Sequence, residues 1–229
     1  MIRVLDIGNT FTRIALWDGE KFTDIIRVPT EKLELDADGI PTAAACVCPA
    51  VKERLQHLDI DFISAADQHG KVDFSPVDCR TLGADRVANA VAAAEFFPLP
   101  AMVIDCGTAI TCEVIDKECR FAGGAIAPGR KLMRSILAQG TAQLPKIPVS
   151  TVIPTEIGQN TRDAITFGVD NGAIGIIRRW IEVVQKKYPD LTLILTGGDA
   201  GFFAPALPEA VLTDDKFTLH GIRLACKIL

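Results

Sequence analysis

Two stretches of this chain share one pattern, IRVLDIGNTFTRIALWDG at 2–19 and AMVIDCGTAITCEVID at 101–116. Superposing them sets Asp6 on Asp105, Gly8 on Gly107 and Thr12 on Thr111. Each copy reads as a strand that ends in a carboxylate, a tight turn and a second strand. A single recurrence about half a chain away is not the 20-to-50-residue period of a solenoid. It predicts an α/β protein made of two similar lobes facing one cleft, one over 1–97 and the other over 98–229. No Ser- or Gly-rich linker separates them, so a packed hinge is expected rather than a floppy tether.

The length of 229 residues supports two cores of this size, and a 48% hydrophobic, 23% charged composition argues against disorder. In the first half, periodicity predicts strands at 2–5, 11–17 and 21–28 as an antiparallel meander. A buried strand at 42–47, a short helix at 50–58 and a strand at 61–64 follow. The alanine-rich run 84–97, closed by Pro98, predicts a helix. The second half predicts strands at 101–104, 109–115, 119–122, 192–196 and 210–212. Its expected helices are 131–139, 161–188 and 221–228.

A net charge of −5 gives no electrostatic support to nucleic-acid or anionic-membrane binding, and neither partner is expected. The pairs Arg178-Arg179 and Lys186-Lys187 read as a solvated helix face. No apolar run approaches the roughly 20 residues that span a bilayer. The opening residues read as a strand, not as a signal-peptide core, so the cytoplasm is the expected address. Seven scattered cysteines without a CxxC pair argue against a disulfide framework or a zinc site and are expected to be reduced.

Alone, the Gly8-Asn9 turn fits a plain hairpin. Two such turns, each preceded by a carboxylate, supply what a nucleoside triphosphate needs: donors for its oxygens and acidic groups for the bridging cation. Neither GxxxxGK[ST] nor a strand-borne GxGxxG occurs. Between the repeats, Gly83-Ala84-Asp85-Arg86 opens the alanine-rich helix, where free amides favour an anion. Asp85 reads there either as a helix-start residue or as a base beside a carboxylate-binding Arg86. GGAIAPG (123–129), TAQLP (141–145), IGQNT (157–161) and TGGDA (196–200) are glycine- or proline-punctuated turns or helix starts, and suit a site assembled from strand ends.

In order and over nearly the whole chain, DIGNT, LGADR, VIDCGTAIT, GGAIAPG, TAQLP, IGQNT and LTGGDA resemble the type III pantothenate kinases, a family of the acetate-kinase, sugar-kinase, Hsp70 and actin superfamily. The resemblance implies two duplicated ribonuclease H-like (actin-like ATPase) lobes, with mixed sheets flanked by helices and an ATP cleft between them. It implies transfer of phosphate from ATP to pantothenate, the first step of coenzyme A biosynthesis. ATP phosphates would be held by Asp6, Ile7, Gly8, Asn9, Thr10, Phe11, Thr12 and Arg13, together with Thr108. Asp105 would bind a monovalent cation, K⁺ or NH₄⁺, and Asp6 is a candidate ligand for Mg²⁺. Gly83, Ala84, Asp85, Arg86 and Thr161 would line the pantothenate pocket, with Asp85 as proton acceptor. A homodimer is implied as well.

The sequence departs from that family in one place that bears on the pocket. A tyrosine usual before GADR is missing, the only tyrosine being Tyr188, and Phe74 and Pro76 are the candidates for its space. A kinase for another small hydroxy acid and a non-catalytic regulatory paralogue are the rival readings. The presence of Asp6, Asp85 and Asp105 together speaks against the second.

Overall fold

The computed structural model describes residues 1–67 and 72–228. The first repeat forms β1 (Ile2–Ile7), β2 (Phe11–Trp17) and β3 (Phe22–Pro29), followed by β4 (Thr42–Cys46), helix α1 (Pro49–Arg54) and β5 (Ile60–Phe62). Their sheet has the order β3-β2-β1-β4-β5. The β1–β2 and β2–β3 pairs are antiparallel, while β1–β4 and β4–β5 are parallel. Helix α2 (Ala84–Phe96) then leads to β6 (Ala101–Cys106), β7 (Ala109–Ile115) and β8 (Phe121–Pro128). After helices α3 (Arg130–Gly140) and α4 (Thr161–Gln185) come β9 (Thr192–Thr196), helix α5 (Ala200–Phe203), β10 (Val211–Leu212) and helix α6 (Phe217–Ala225). This second sheet has the order β10-β9-β6-β7-β8. Read from its other edge it is third, second, first, fourth, fifth, the order of the first sheet. The sequence repeat is therefore a repeat of topology, as predicted.

The two first strands are central, and their composition follows from that place. Val4, Leu5 and Ile7 of β1 and Ala101 to Ile104 of β6 are all buried, as near-continuous apolar strands are when both faces are covered. Strand β8 lies at an edge and alternates between exposed and half-buried positions after Phe121. It extends through most of GGAIAPG, which was expected as a turn or helix start. An edge strand tolerates glycine, and Pro128 at its end leaves no interior ladder bond missing.

Contacts divide the chain into two units that interleave along the sequence. One gathers Met1–Ala101, Glu113–Gly123 and the chain from Asp214 on. Its core includes Leu5, Ile7, Leu33, Ala44, Val51 and Leu55. The other gathers Met102–Cys112 and Gly124–Thr213, with Ile147, Ile165 and Val169 packed against Met133, Leu137 and Leu144.

The helix expected at 221–228 in the second half is α6, four residues earlier, and it packs on α2, β1 and β4 of the first unit. Small residues explain the close approach. A Cβ on Gly221 would stand 1.9 Å from the Ala88 carbonyl oxygen of α2. A Gly221→Ala variant is accordingly expected to lose about 1–3 kcal/mol of stability through overpacking. Urea denaturation checks this: an unchanged midpoint would contradict the packing.

All seven cysteines are free thiols. Among the described residues, no helix is long and apolar enough to cross a membrane.

Candidate active site

The first turn is closed by Gly8, whose N–H donates to the Phe11 carbonyl at 3.1 Å. Asn9 and Thr10 are exposed at its tip, and Asp6 is half-buried on β1 opposite Arg13 of β2. Not every residue of the 6–13 stretch faces solvent. Ile7 belongs to the core, and Thr12 is fully buried. The Thr12 and Thr30 hydroxyls meet at 3.1 Å, and Thr30 donates to the Gly8 carbonyl at 2.7 Å. The Thr30 amide also donates to the Thr10 carbonyl. Thr12 and Thr30 thus brace the turn from behind. Arg13 donates through Nη1 to the Asp215 carbonyl at 2.6 Å, and Phe11 lies beneath the Arg27 guanidinium.

The second turn is tighter: Gly107 donates to the Ala109 carbonyl at 2.9 Å, leaving Thr108 exposed at the tip. Asp105 is half-buried at the end of β6. Two glycines from distant loops press on this turn. A Cβ on Gly129 would lie 2.3 Å from the Gly107 carbonyl oxygen, and one on Gly197 would lie 2.3 Å from Asp105 Oδ1. Backbone bonds fix both loops, from the Gly129 amide to the Thr108 carbonyl (2.9 Å) and from the Asp199 amide to the Cys106 carbonyl (2.8 Å). Burial, with the negative charges of Asp105 and Asp199 nearby, pushes the Cys106 thiol well above its ordinary value. It therefore stays protonated and inert.

Gly83 caps the N-terminus of α2, placing Asp85 and Arg86 in the first turn of the helix. Asp85 is half-buried and accepts the Arg86 amide at 2.8 Å. Burial raises its pKa above 3.8, opposed by that hydrogen bond and by the Arg86 charge. Arg86 donates through Nε to Glu113 Oε1 at 2.8 Å, and its guanidinium lies 5.8 Å from the Phe121 ring centroid. Glu113 is fully buried on β7. It was not singled out in the sequence, although a glutamate inside the apolar run AITCEVI is the signal of a buried charge with a specific partner. Phe74 is buried and stacks on Phe121, whereas Pro76 is exposed. Of the two candidates for the missing tyrosine's space, Phe74 therefore joins the aromatic packing beside Arg86.

Gly83 has a strict steric role. A Cβ there would meet Asp85 Oδ1 at 2.6 Å, and the carboxylate is the part free to yield. Gly83→Ala should therefore keep the fold within about 1 kcal/mol yet turn the carboxylate away. With Asp85 Oδ1 displaced, the Arg86 amide loses its acceptor and should exchange its hydrogen about tenfold faster. Unchanged exchange at Arg86 in the folded variant would show that the carboxylate had not turned.

Thr161 opens α4 behind Asn160, whose side chain accepts the Asp163 amide at 3.0 Å. It lines a mainly apolar cavity of about 730 Å³ with Pro128, Met133, Leu137, Leu144 and Val169. Among the described residues, no three His, Cys, Asp or Glu side chains gather as a metal site.

The sequence profile of a family described as type III pantothenate kinase matches residues 40–183. A type III pantothenate kinase of Akkermansia muciniphila is 34% identical over 239 residues, covering 97% of this chain and 96% of that protein. Among solved structures, a conserved Campylobacter jejuni protein assigned to a Baf family of transcriptional activators superposes with a TM-score of 0.67 at 22% identity, over 97% of this chain and 96% of that one. A Sinorhizobium meliloti protein assigned as a 2-dehydro-3-deoxygalactonokinase gives 0.61 at 13% identity, over 98% and 95%. At such identities the structural likenesses establish the fold alone, the actin-like arrangement of duplicated sheets also found in sugar kinases.

Proposed function

Because the chain belongs to the type III pantothenate kinase family, we propose that it transfers the γ-phosphoryl group of ATP to the primary hydroxyl of pantothenate, the first step of coenzyme A biosynthesis. The observation that carries this reading is Asp85, a half-buried carboxylate of raised pKa at a helix N-terminus, beside an arginine anchored by a buried glutamate.

The roles follow from the chemistry. As the hydroxyl attacks phosphorus, its proton passes to a carboxylate oxygen of Asp85, and ADP departs with the electron pair of the broken P–O bond. Burial suits Asp85 to this task, since a raised pKa makes a stronger base of the ionised form. Glu113 fixes the Arg86 guanidinium for the substrate carboxylate, and Gly83, Ala84 and Thr161 are the further proposed pantothenate contacts. The 6–13 turn and Thr108 supply amides and hydroxyls to the phosphate oxygens, where charge accumulates in the transition state. Within the first turn that role belongs to the exposed Asn9 and Thr10, with Gly8 closing the turn and Ile7 and Thr12 shaping the backbone behind them. We take 1–97 and 98–229 as the duplicated halves because each opens on one copy of the sequence repeat.

Asp6 and Asp105 each bring one carboxylate near the end of a central strand, which would suit Mg²⁺ carried largely by phosphates and water, and a monovalent ion shared with backbone carbonyls. Mg²⁺ at Asp6, and K⁺ or NH₄⁺ at Asp105, would offset phosphate charge. A second copy of the chain is the proposed cover for the apolar cavity beside Thr161, where Ile136 is exposed. Nucleic acid and membrane are not proposed as partners, and the cytoplasm is the proposed location.

ADP release from the purified protein tests the reading. It should require pantothenate, fall when Na⁺ replaces K⁺, and stay at background with other small hydroxy acids. ADP release driven equally well by another hydroxy acid would move the substrate assignment, and none with any acceptor would favour a binding role.

A further inference from the structure

We infer that Arg130 is a positioning residue for the second phosphate turn: its guanidinium locks together the two loops that clamp residues 105–108. The observations lie within one unit. On one side of the turn, Gly129 donates to Thr108 and leads directly into α3, whose first residue is Arg130. On the other, Asp199 donates its amide to Cys106, and Gly197 presses on Asp105. Arg130 spans the gap from the first loop to the second. Its Nε and Nη2 bond the two oxygens of Asp199 at 2.7 and 2.6 Å, a fork-on-carboxylate pair.

The arginine is itself held from every direction. Nη1 donates to Asp170 Oδ1 of α4 and to the Ser150 carbonyl, both at 3.0 Å. The flat face of the guanidinium lies 3.3 Å from the centroid of Phe202 in α5. Arg134, one turn along α3, places Nη2 2.9 Å from the same Asp170 oxygen. Two arginines thus face two aspartates, and Arg130, Arg134 and Asp170 are buried almost completely. Burial works against the Arg130 charge, but its bonds to Asp199 and Asp170 hold its pKa above the ordinary arginine value. A buried ion cluster of this kind is weak evidence of stabilisation, because desolvation offsets attraction. Its use is geometric: one rigid planar group sets the spacing of the two loops that hold the turn. Lysine cannot replace it, for an ammonium offers no planar fork.

Asp199 is the more accessible partner, with a side chain 28% exposed, so Asp199→Asn tests the clasp with less risk to folding than Arg130→Met. Arg130→Lys keeps the charge and removes the fork. Two readouts separate the clasp from the kinase reading on which its functional effect rests. Hydrogen exchange on the intact, ligand-free protein should show the Asp199 and Gly129 amides losing protection together, about tenfold, in both variants. In turnover assays, the K⁺ concentration for half-activation and the KM for ATP should each rise about tenfold, with KM for pantothenate within twofold of the parent. Exchange and kinetics unchanged in the folded variants would overturn the inference. So would a uniform fall in kcat with both constants unmoved, the mark of general loosening. If the parent protein shows no turnover, the kinase reading fails, and coupled loss of protection still decides whether Arg130 joins the two loops.

Discussion

Replacing Asp85 by asparagine is expected to lower pantothenate-dependent ADP release by about 10³-fold while raising the thermal midpoint of the ligand-free protein. The two effects have one cause. Burial raises the folded-state pKa of Asp85 above 3.8, so in that range the folded chain binds a proton more firmly than the unfolded chain. The stability this contributes is complete below the ordinary value and is lost as pH rises through the raised one. Near neutrality, Asp85 is therefore a partly desolvated charge that costs stability, and asparagine of the same shape removes it. The side-chain oxygen can still accept the Arg86 amide, so the helix start should be preserved. In the parent enzyme kcat/KM should rise with pH through this same raised pKa, because the base works only when ionised. A variant within tenfold of the parent rate, or one that melts well below it, would remove Asp85 from the role of base.

The second large effect is expected at Gly197. Its φ of +95° lies in the left-handed region, which a side chain enters at a cost of about 1–2 kcal/mol. The added Cβ would also meet Asp105 Oδ1 at 2.3 Å and the Cys106 amide nitrogen and carbonyl oxygen at 2.6 Å, two of them backbone atoms that cannot swing aside. Overpacking adds about 1–3 kcal/mol. Gly197→Ala should therefore unfold at markedly lower temperature and lose K⁺ activation altogether. Gly201→Ala, on α5 with nothing within 4 Å of the added carbon, should behave like the parent in both assays. Equal behaviour of the two alanine variants would show that the 196–200 loop does not bear on the Asp105 turn.

Much of this arrangement was legible because the repeat carries its own topology. A central strand ending in aspartate, a glycine turn and a returning strand reads the same way twice, and both sheets formed in the same strand order. What could not be read has physical reasons. Helix α6 lies in the first unit because Gly221 lets it seat on Ala88, a contact between residues far apart that no local pattern encodes. The segment GGAIAPG looked like a loop because edge strands need neither branched residues nor two apolar faces. Glu113, Thr30 and Arg130 act through partners on other elements, so their types alone did not mark them. The LGADR motif placed Asp85 and Arg86 together, but only the structure gave the burial that raises the Asp85 pKa.

The central claim is the identity of the phosphoryl acceptor, and mass spectrometry of the small-molecule products reads it directly. Pantothenate incubated with the protein, ATP, Mg²⁺ and K⁺ should gain one phosphoryl group on its primary hydroxyl, and none when Asp85→Asn replaces the parent. Unmodified pantothenate beside ADP formation would contradict the account.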